Sequence, residues 1–180
     1  MTDLSNLILG IDPGLDRTGW AMVGRGARGA LTLVACGLIH TAAGQELPKR
    51  LDYIYQQLQK ILNDYRPKQV ALEQNFFLKR AVTMANTVMT RGVISFYPPK
   101  RVKMILCGTG TADKKQVQRM VQLTLRLDKQ PEPDDVADAV AIAICHQKTA
   151  PLSQKINVQA AFLAKIKAAR EAQIKNRSKK

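Results

Sequence analysis

A chain of 180 residues with 46% hydrophobic and 23% charged side chains can bury one real core and is too apolar to be a disordered segment. Its 28 Lys and Arg against 14 Asp and Glu leave a net charge of +14, which points to a polyanionic partner, with nucleic acid ahead of an anionic membrane surface. The longest clean apolar run, Ala139 to Cys145, is too short to span a bilayer. The first residues carry acids at Asp3 and Asp12 and no basic leader, so a cytoplasmic protein is expected.

In chain order, Leu7–Ile11 (LILGI) reads as a buried strand. Trp20–Val23 and Ala30–His40 read as two more, joined as a hairpin through the turn-rich GRGARG. Leu47, Leu51, Ile54, Leu58, Ile61, Leu62 and Tyr65 share one helical face and predict a helix over 47–65, ended by Pro67. A short strand, Gln69–Glu73, follows. Arg80–Val93 is helix-prone, and Ile94–Tyr97 is a strand before the Pro98-Pro99 break. Lys103–Cys107 reads as a short helix, Asp113–Leu127 as an amphipathic helix capped by Asp113, and Val136–His146 as an apolar helix. Three early strands followed by alternating helix and strand predict an α/β fold with a mixed sheet.

Two units are expected: a domain over 1–147 and a basic tail over 148–180. From residue 151 onward the tail holds basic residues and a single acid, Glu171; Ala161, Phe162, Ile166 and Ala169 suggest an amphipathic helix that could lie on DNA. A solvated, disordered tail is the competing reading. Cys36, Cys107 and Cys145 are odd in number and lie in or beside apolar runs, which predicts buried thiols in a reducing compartment, with no disulfide and no zinc motif. His40 and His146 are the only histidines, so a metal site would have to be built from oxygens.

The acids sort by context. Asp3, Asp16, Glu46, Asp52, Asp64, Asp128, Glu132 and Glu171 fall in polar turns or on polar helix faces, and Asp113 and Asp134 stand where helix caps belong. Asp12, Glu73, Asp135 and Asp138 remain. Asp12 ends LILGI and Glu73 ends VAL, at the strand edge where ligands bind in open α/β sheets. Asp135 and Asp138 are three residues apart on one face near the start of an otherwise apolar helix. Any one of these acids could be only a turn former or a cap. Four of them with no basic partner in the local sequence cannot be buried together dry, whereas divalent cations would offset their charge. A pair of Mg²⁺ ions roughly 3.5–4 Å apart is the usual device for in-line phosphodiester displacement. In so basic a chain, this favours a metal-dependent nuclease.

These residues resemble the motifs of the RuvC family of Holliday junction resolvases, endonucleases with an RNase H-like fold. Gly10-Ile-Asp-Pro-Gly14 with Thr18-Gly19 resembles the first-strand motif and Ala71-Leu-Glu-Gln-Asn-Phe-Phe77 the second acidic motif. Gly108-Thr-Gly-Thr-Ala-Asp-Lys114 with Gln116-Val-Gln-Arg-Met120 resembles the DNA-contacting loop and helix. Pro133-Asp-Asp-Val-Ala-Asp-Ala-Val-Ala-Ile-Ala-Ile144 resembles the closing acidic helix. The resemblance implies a single-domain, RNase H-like mixed five-stranded sheet flanked by helices. It implies catalytic metal ligation by Asp12, Glu73, Asp135 and Asp138, with two Mg²⁺ per site and Mn²⁺ as a substitute. It also implies DNA contacts by Lys103, Lys114 and Phe76, the aromatic ring stacking at the opened junction centre. Phe76 and Phe77 as two ordinary core rings is the competing reading; one ring inside and one outside is expected. Further implications are four-way junction DNA as substrate, a homodimer, and branch-migration helicase partners of the RuvA and RuvB type. The Pro13-Gly14 turn would then let backbone and phosphate approach the metals.

Two features depart from the family pattern. Between Arg91-Gly-Val93 and Ile94-Ser-Phe-Tyr97 the chain is shorter, which leaves Val82, Met84, Ala85, Val88 and Met89 for a reduced dimer face or for the core. The basic tail lies beyond the match. Three other readings compete. GIDPG also resembles the first phosphate loop of actin-like sugar kinases, but those need a second domain. A non-catalytic junction-binding relative would be expected to lack one of the acids. A general RNase H-like nuclease is the nearest alternative.

Overall fold

The computed structural model describes residues 3–26, 29–74 and 93–153. The chain divides into two units, Met1–Thr149 and Ala150–Lys180. The expected helix over Arg80–Val93 (as far as residue 92), Phe76 and Phe77, and the tail from 154 lie outside the described residues.

Strands β1 (Asp3–Asp12), β2 (Arg17–Arg25) and β3 (Leu31–His40) form an antiparallel meander. β4 (Gln69–Glu73) then pairs in parallel with β1, and β5 (Val93–Tyr97) in parallel with β4. The result is the expected mixed five-stranded sheet, in the order β3-β2-β1-β4-β5. Alternation decides what each strand offers to each face. Ile8, Ala21, Val23 and Ala71 pack with α2 (Pro99–Cys107), α3 (Lys114–Leu125) and α4 (Asp134–Ser153). Leu9, Ile11, Met22, Val70 and Leu72 pack on the opposite face with Ile54, Leu58, Ile61 and Leu62 of α1 (Leu47–Tyr65). Between residues 136 and 146 of α4, every side chain except the half-buried Asp138 is buried. A helix apolar on nearly all sides belongs in a core.

Several sequence expectations need correction. Asp12 closes β1 as expected, but β2 begins at Arg17, three residues before the expected Trp20. Pro98-Pro99 opens α2 instead of only breaking a strand, because Pro is preorganised for the first helical position. Asp113 does cap α3, in a capping box with Gln116. Asp134 is no cap: the first amides of α4, those of Val136 and Ala137, bond to Pro133 O, and the Asp134 side chain faces α3. In α1 the inward position of the first turn is taken by Arg50, and Leu47 and Leu51 are exposed beside it. The three cysteines are free, but only Cys145 is fully buried; Cys36 is exposed because it lies on the edge strand β3.

His146 fixes α4 to the sheet. Its Nε2–H donates to Gln69 Oε1 at 2.8 Å and its Nδ1 accepts from the Tyr97 hydroxyl at 2.8 Å, so one buried ring ties α4 to β4 and β5. Burial pushes its pKa down to about 4, so the ring is neutral.

Candidate active site

The period-2 alternation that sorts the core also aims the acids. Residues 8, 10 and 12 share one face of β1, and residues 71 and 73 the same face of β4. Ile8 and Ala71 belong to the core under α4, so Asp12 and Glu73 point to the α4 side as well. Ile11 and Leu72 are register partners in the parallel pair, which places the two acids next to each other at the C-terminal edge.

Helix α4 reaches this corner because the sheet offers it glycines. A Cβ at Gly10 would lie 2.2 Å from Ala139 O, and one at Gly19 would lie 1.9 Å from Asp135 O. Backbone therefore packs on backbone, and the first two turns of α4 bring Asp135 and Asp138 over the ends of β1 and β2. The loop that follows Asp12 is held from below. Thr18 Oγ1 donates to Gly14 O at 2.6 Å, Thr41 Oγ1 donates to Leu15 O at 2.6 Å, and Thr41 N–H donates to Asp16 O at 3.0 Å. The buried Arg50 donates from Nε to Thr41 Oγ1 at 2.9 Å and pairs with Asp16. A Cβ at Gly14 would meet Arg17 O at 2.1 Å, so closure of this turn is itself a reason for glycine there.

The electrostatics are those of carboxylates crowded out of water. Burial, then the charge and hydrogen bond of Glu73 and the charge of Asp135, push Asp12 up to about 7 against the pull of Lys114. Burial and the charge of Asp12 push Asp138 up to about 6, again against Lys114. Glu73 is raised by burial and by Asp138, and lowered by the hydrogen bond from Asp12. Two cations stand close by. Arg17 Nε lies 2.7 Å from Asp135 Oδ2, and Lys114 Nζ lies 3.0 Å from Asp134 Oδ2 and 3.8 Å from Asp138 Oδ2. The Lys114 ammonium is raised, chiefly by the bond to Asp134.

Basic partners that local sequence does not supply thus arrive from β2 and α3. Lys103 lies on α2. Among the described residues no three His, Cys, Asp or Glu side chains converge into a closed ligand cage. The donor set nevertheless fits a hard cation: all oxygens, and largely desolvated. Sequence reasoning missed Arg17 and Arg50, and it gave Asp16 to a polar turn and Asp134 to a cap where the structure pairs them with Arg50 and Lys114. Of these Arg17 was within reach, since it continues the inward face of β2 two residues before Gly19 and four before Ala21.

Residues 8–146 match the family described as crossover junction endodeoxyribonuclease RuvC. The protein of that name from Roseiflexus sp. (strain RS-1) is 42% identical over 159 residues, covering 82% of this chain and 94% of the relative. That from Chloroflexus aggregans is 43% identical over 161 residues, covering 83% of this chain and 98% of the relative. The solved structure of Thermus thermophilus RuvC superposes with a TM-score of 0.73 at 29% identity, covering 82% of this chain and 96% of that one. The same protein has been solved in complex with a Holliday junction substrate, with the same TM-score and coverage.

Proposed function

The chain belongs to the RuvC family of crossover junction endodeoxyribonucleases, and from that premise we propose that it resolves four-way (Holliday) DNA junctions in recombination and repair. The chemistry is Mg²⁺-assisted hydrolysis of the phosphodiester at Asp12, Glu73, Asp135 and Asp138. The observation that carries this reading is the convergence of Asp12, Glu73 and Asp138, three acids drawn to one sheet edge from β1, β4 and α4 and each raised first by burial.

Two bound Mg²⁺ ions would supply a water acidified to attack at neutral pH and charge to stabilise the leaving oxygen. The chain's own residues hold the geometry. Asp12 and Glu73 are fixed by the β1–β4 register, and Asp135 and Asp138 by the close approach of α4. Lys114, at the start of α3, holds its ammonium near Asp138 and can bind a phosphate oxygen of the strand to be cut. Lys103 on α2 adds a second phosphate contact, and Phe76 stacks at the opened centre, a contact worth roughly 1–3 kcal/mol per base. A two-fold homodimer presents two equivalent sites for paired cuts. RuvA- and RuvB-type helicase subunits would deliver the junction in the cytoplasm. The basic tail over 148–180 adds phosphate contacts; its first residues continue α4 to Ser153.

The test is cleavage of synthetic four-way junctions, linear duplex and RNA–DNA hybrid, each with and without Mg²⁺, by the wild type and by Asp12→Asn. Mg²⁺-dependent cutting of junctions alone, abolished in the variant while junction binding persists, is expected. Equal cutting of all three substrates would make the chain a general nuclease instead.

A further inference from the structure

The four acids are not gathered equally. Asp12 and Glu73 share a hydrogen bond, whereas Asp135 is engaged by a residue from another strand. Arg17 opens β2, on the same face as Gly19, and Gly19 is where β2 touches the backbone of Asp135. Its reach to the carboxylate is therefore set by backbone packing and not by chance on a mobile surface. The contact is made by Nε at 2.7 Å from Oδ2, with the Arg17 side chain 46% exposed and that of Asp135 28% exposed. On the other flank Lys114 takes Asp134 and approaches Asp138.

We infer that Arg17 is the built-in counter-ion of Asp135, and that a divalent cation taken up by Asp135 displaces its guanidinium. This rests on the reading of Asp135 as a metal ligand. A carboxylate oxygen bound to guanidinium has to exchange partners before it can bind a metal. The exchange is feasible because a half-exposed ion pair is weak: such pairs contribute little, and water is at hand for the released guanidinium. Arg17 is accordingly a positioning residue, acting on the reacting atoms through Asp135.

The experiment is Mg²⁺ titration of the metal-free protein, followed by calorimetry and by the NMR signal of the Arg17 Nε–H group. Wild type, Arg17→Gln and Asp135→Asn are compared at one ionic strength and one pH. Arg17→Gln should bind Mg²⁺ about twofold to fivefold more tightly, the scale of a half-exposed pair. In the wild type the Nε–H signal should move with the same midpoint as binding. A signal unmoved at saturation, or weaker binding by Arg17→Gln, would overturn the inference, since Arg17 would then leave Asp135 unhindered or support it as a ligand. Asp135→Asn separates the two levels. If it binds Mg²⁺ as well as the wild type, Asp135 is not a ligand and the assignment of that residue fails first.

Discussion

Replacing Gly10 by Ala tests whether α4 sits as closely on the sheet as the proposed site requires. The new Cβ would lie 2.2 Å from Ala139 O and 2.8 Å from both the Cβ and the N of Ala143. Carbon contacts are comfortable from about 3.5 Å, so helix or strand has to retreat by about 1 Å. Overpacking of this kind costs about 1–3 kcal/mol. For a chain of this size that lowers the melting temperature by roughly 3–10 °C. The same retreat carries Asp138, next to Ala139 in the chain, and Asp135, one turn earlier, away from Asp12. A misplacement of about 1 Å can cost about a hundredfold in rate. The assay pairs a thermal melt with single-turnover cleavage of a four-way junction, run well below the melting point of the variant. Gly44→Ala serves as control, because nothing lies within 4 Å of its added Cβ. A Gly10→Ala protein that melts and cuts like the wild type would refute the close seating of α4. One that melts early yet cuts normally would refute the dependence of the acids on that seating.

Asp12 is raised in the fold to about 7 from 3.8, so the metal-free protein should lose stability as pH climbs from about 4 to 7. Asp12→Asn should therefore raise the metal-free melting temperature at pH 8 and change it little at pH 4; a lower melting temperature at pH 8 would contradict the buried charge. His146 works in the opposite direction: its neutral form contributes stability that is present above pH 6.5 and lost as pH falls toward about 4. Denaturant titrations of His146→Gln should show a deficit at pH 7.5 that shrinks toward pH 4, and a deficit constant with pH would rule out the buried neutral ring. Deleting residues 154–180 removes eight Lys and Arg and one Glu, and should flatten the dependence of log K for DNA on log salt by about 0.9 for each phosphate that is no longer neutralised. An unchanged slope in filter binding would mean that the segment does not touch DNA.

The sheet and the acids on it were legible because their signals are local. LILGI and QVALE alternate between two buried faces, and the same alternation aims Asp12 and Glu73 at one side. Helix α1 was legible to the residue, since seven apolar positions repeat at helical spacing; its first turn was not, because Arg50 takes its inward place. That burial depends on Asp16 and Thr41, residues that look like ordinary turn formers until the fold brings them under α1. The Arg17–Asp135 and Lys114–Asp134 pairs were hidden for the same reason. An ion pair between distant elements leaves no periodicity in either, whereas a core face does. Gly19 showed only as part of a motif; the structure shows it to be the gap into which the Asp135 backbone fits.

The order of assembly follows from the sheet. β1, β2 and β3 are joined by short turns and can pair as soon as they are made, which sets Asp12 in place early. Glu73 waits for β4, whose parallel pairing with β1 has to enclose the whole of α1, a slower closure. Asp135 and Asp138 come from the last described element, and chains fold from the N-terminus as they are synthesised. A nascent chain of this strongly basic protein can therefore meet nucleic acid before two of the four proposed site acids, Asp135 and Asp138, are in place. On the proposed assignment cutting awaits the docking of α4, so the order of synthesis would keep an unfinished nuclease inactive.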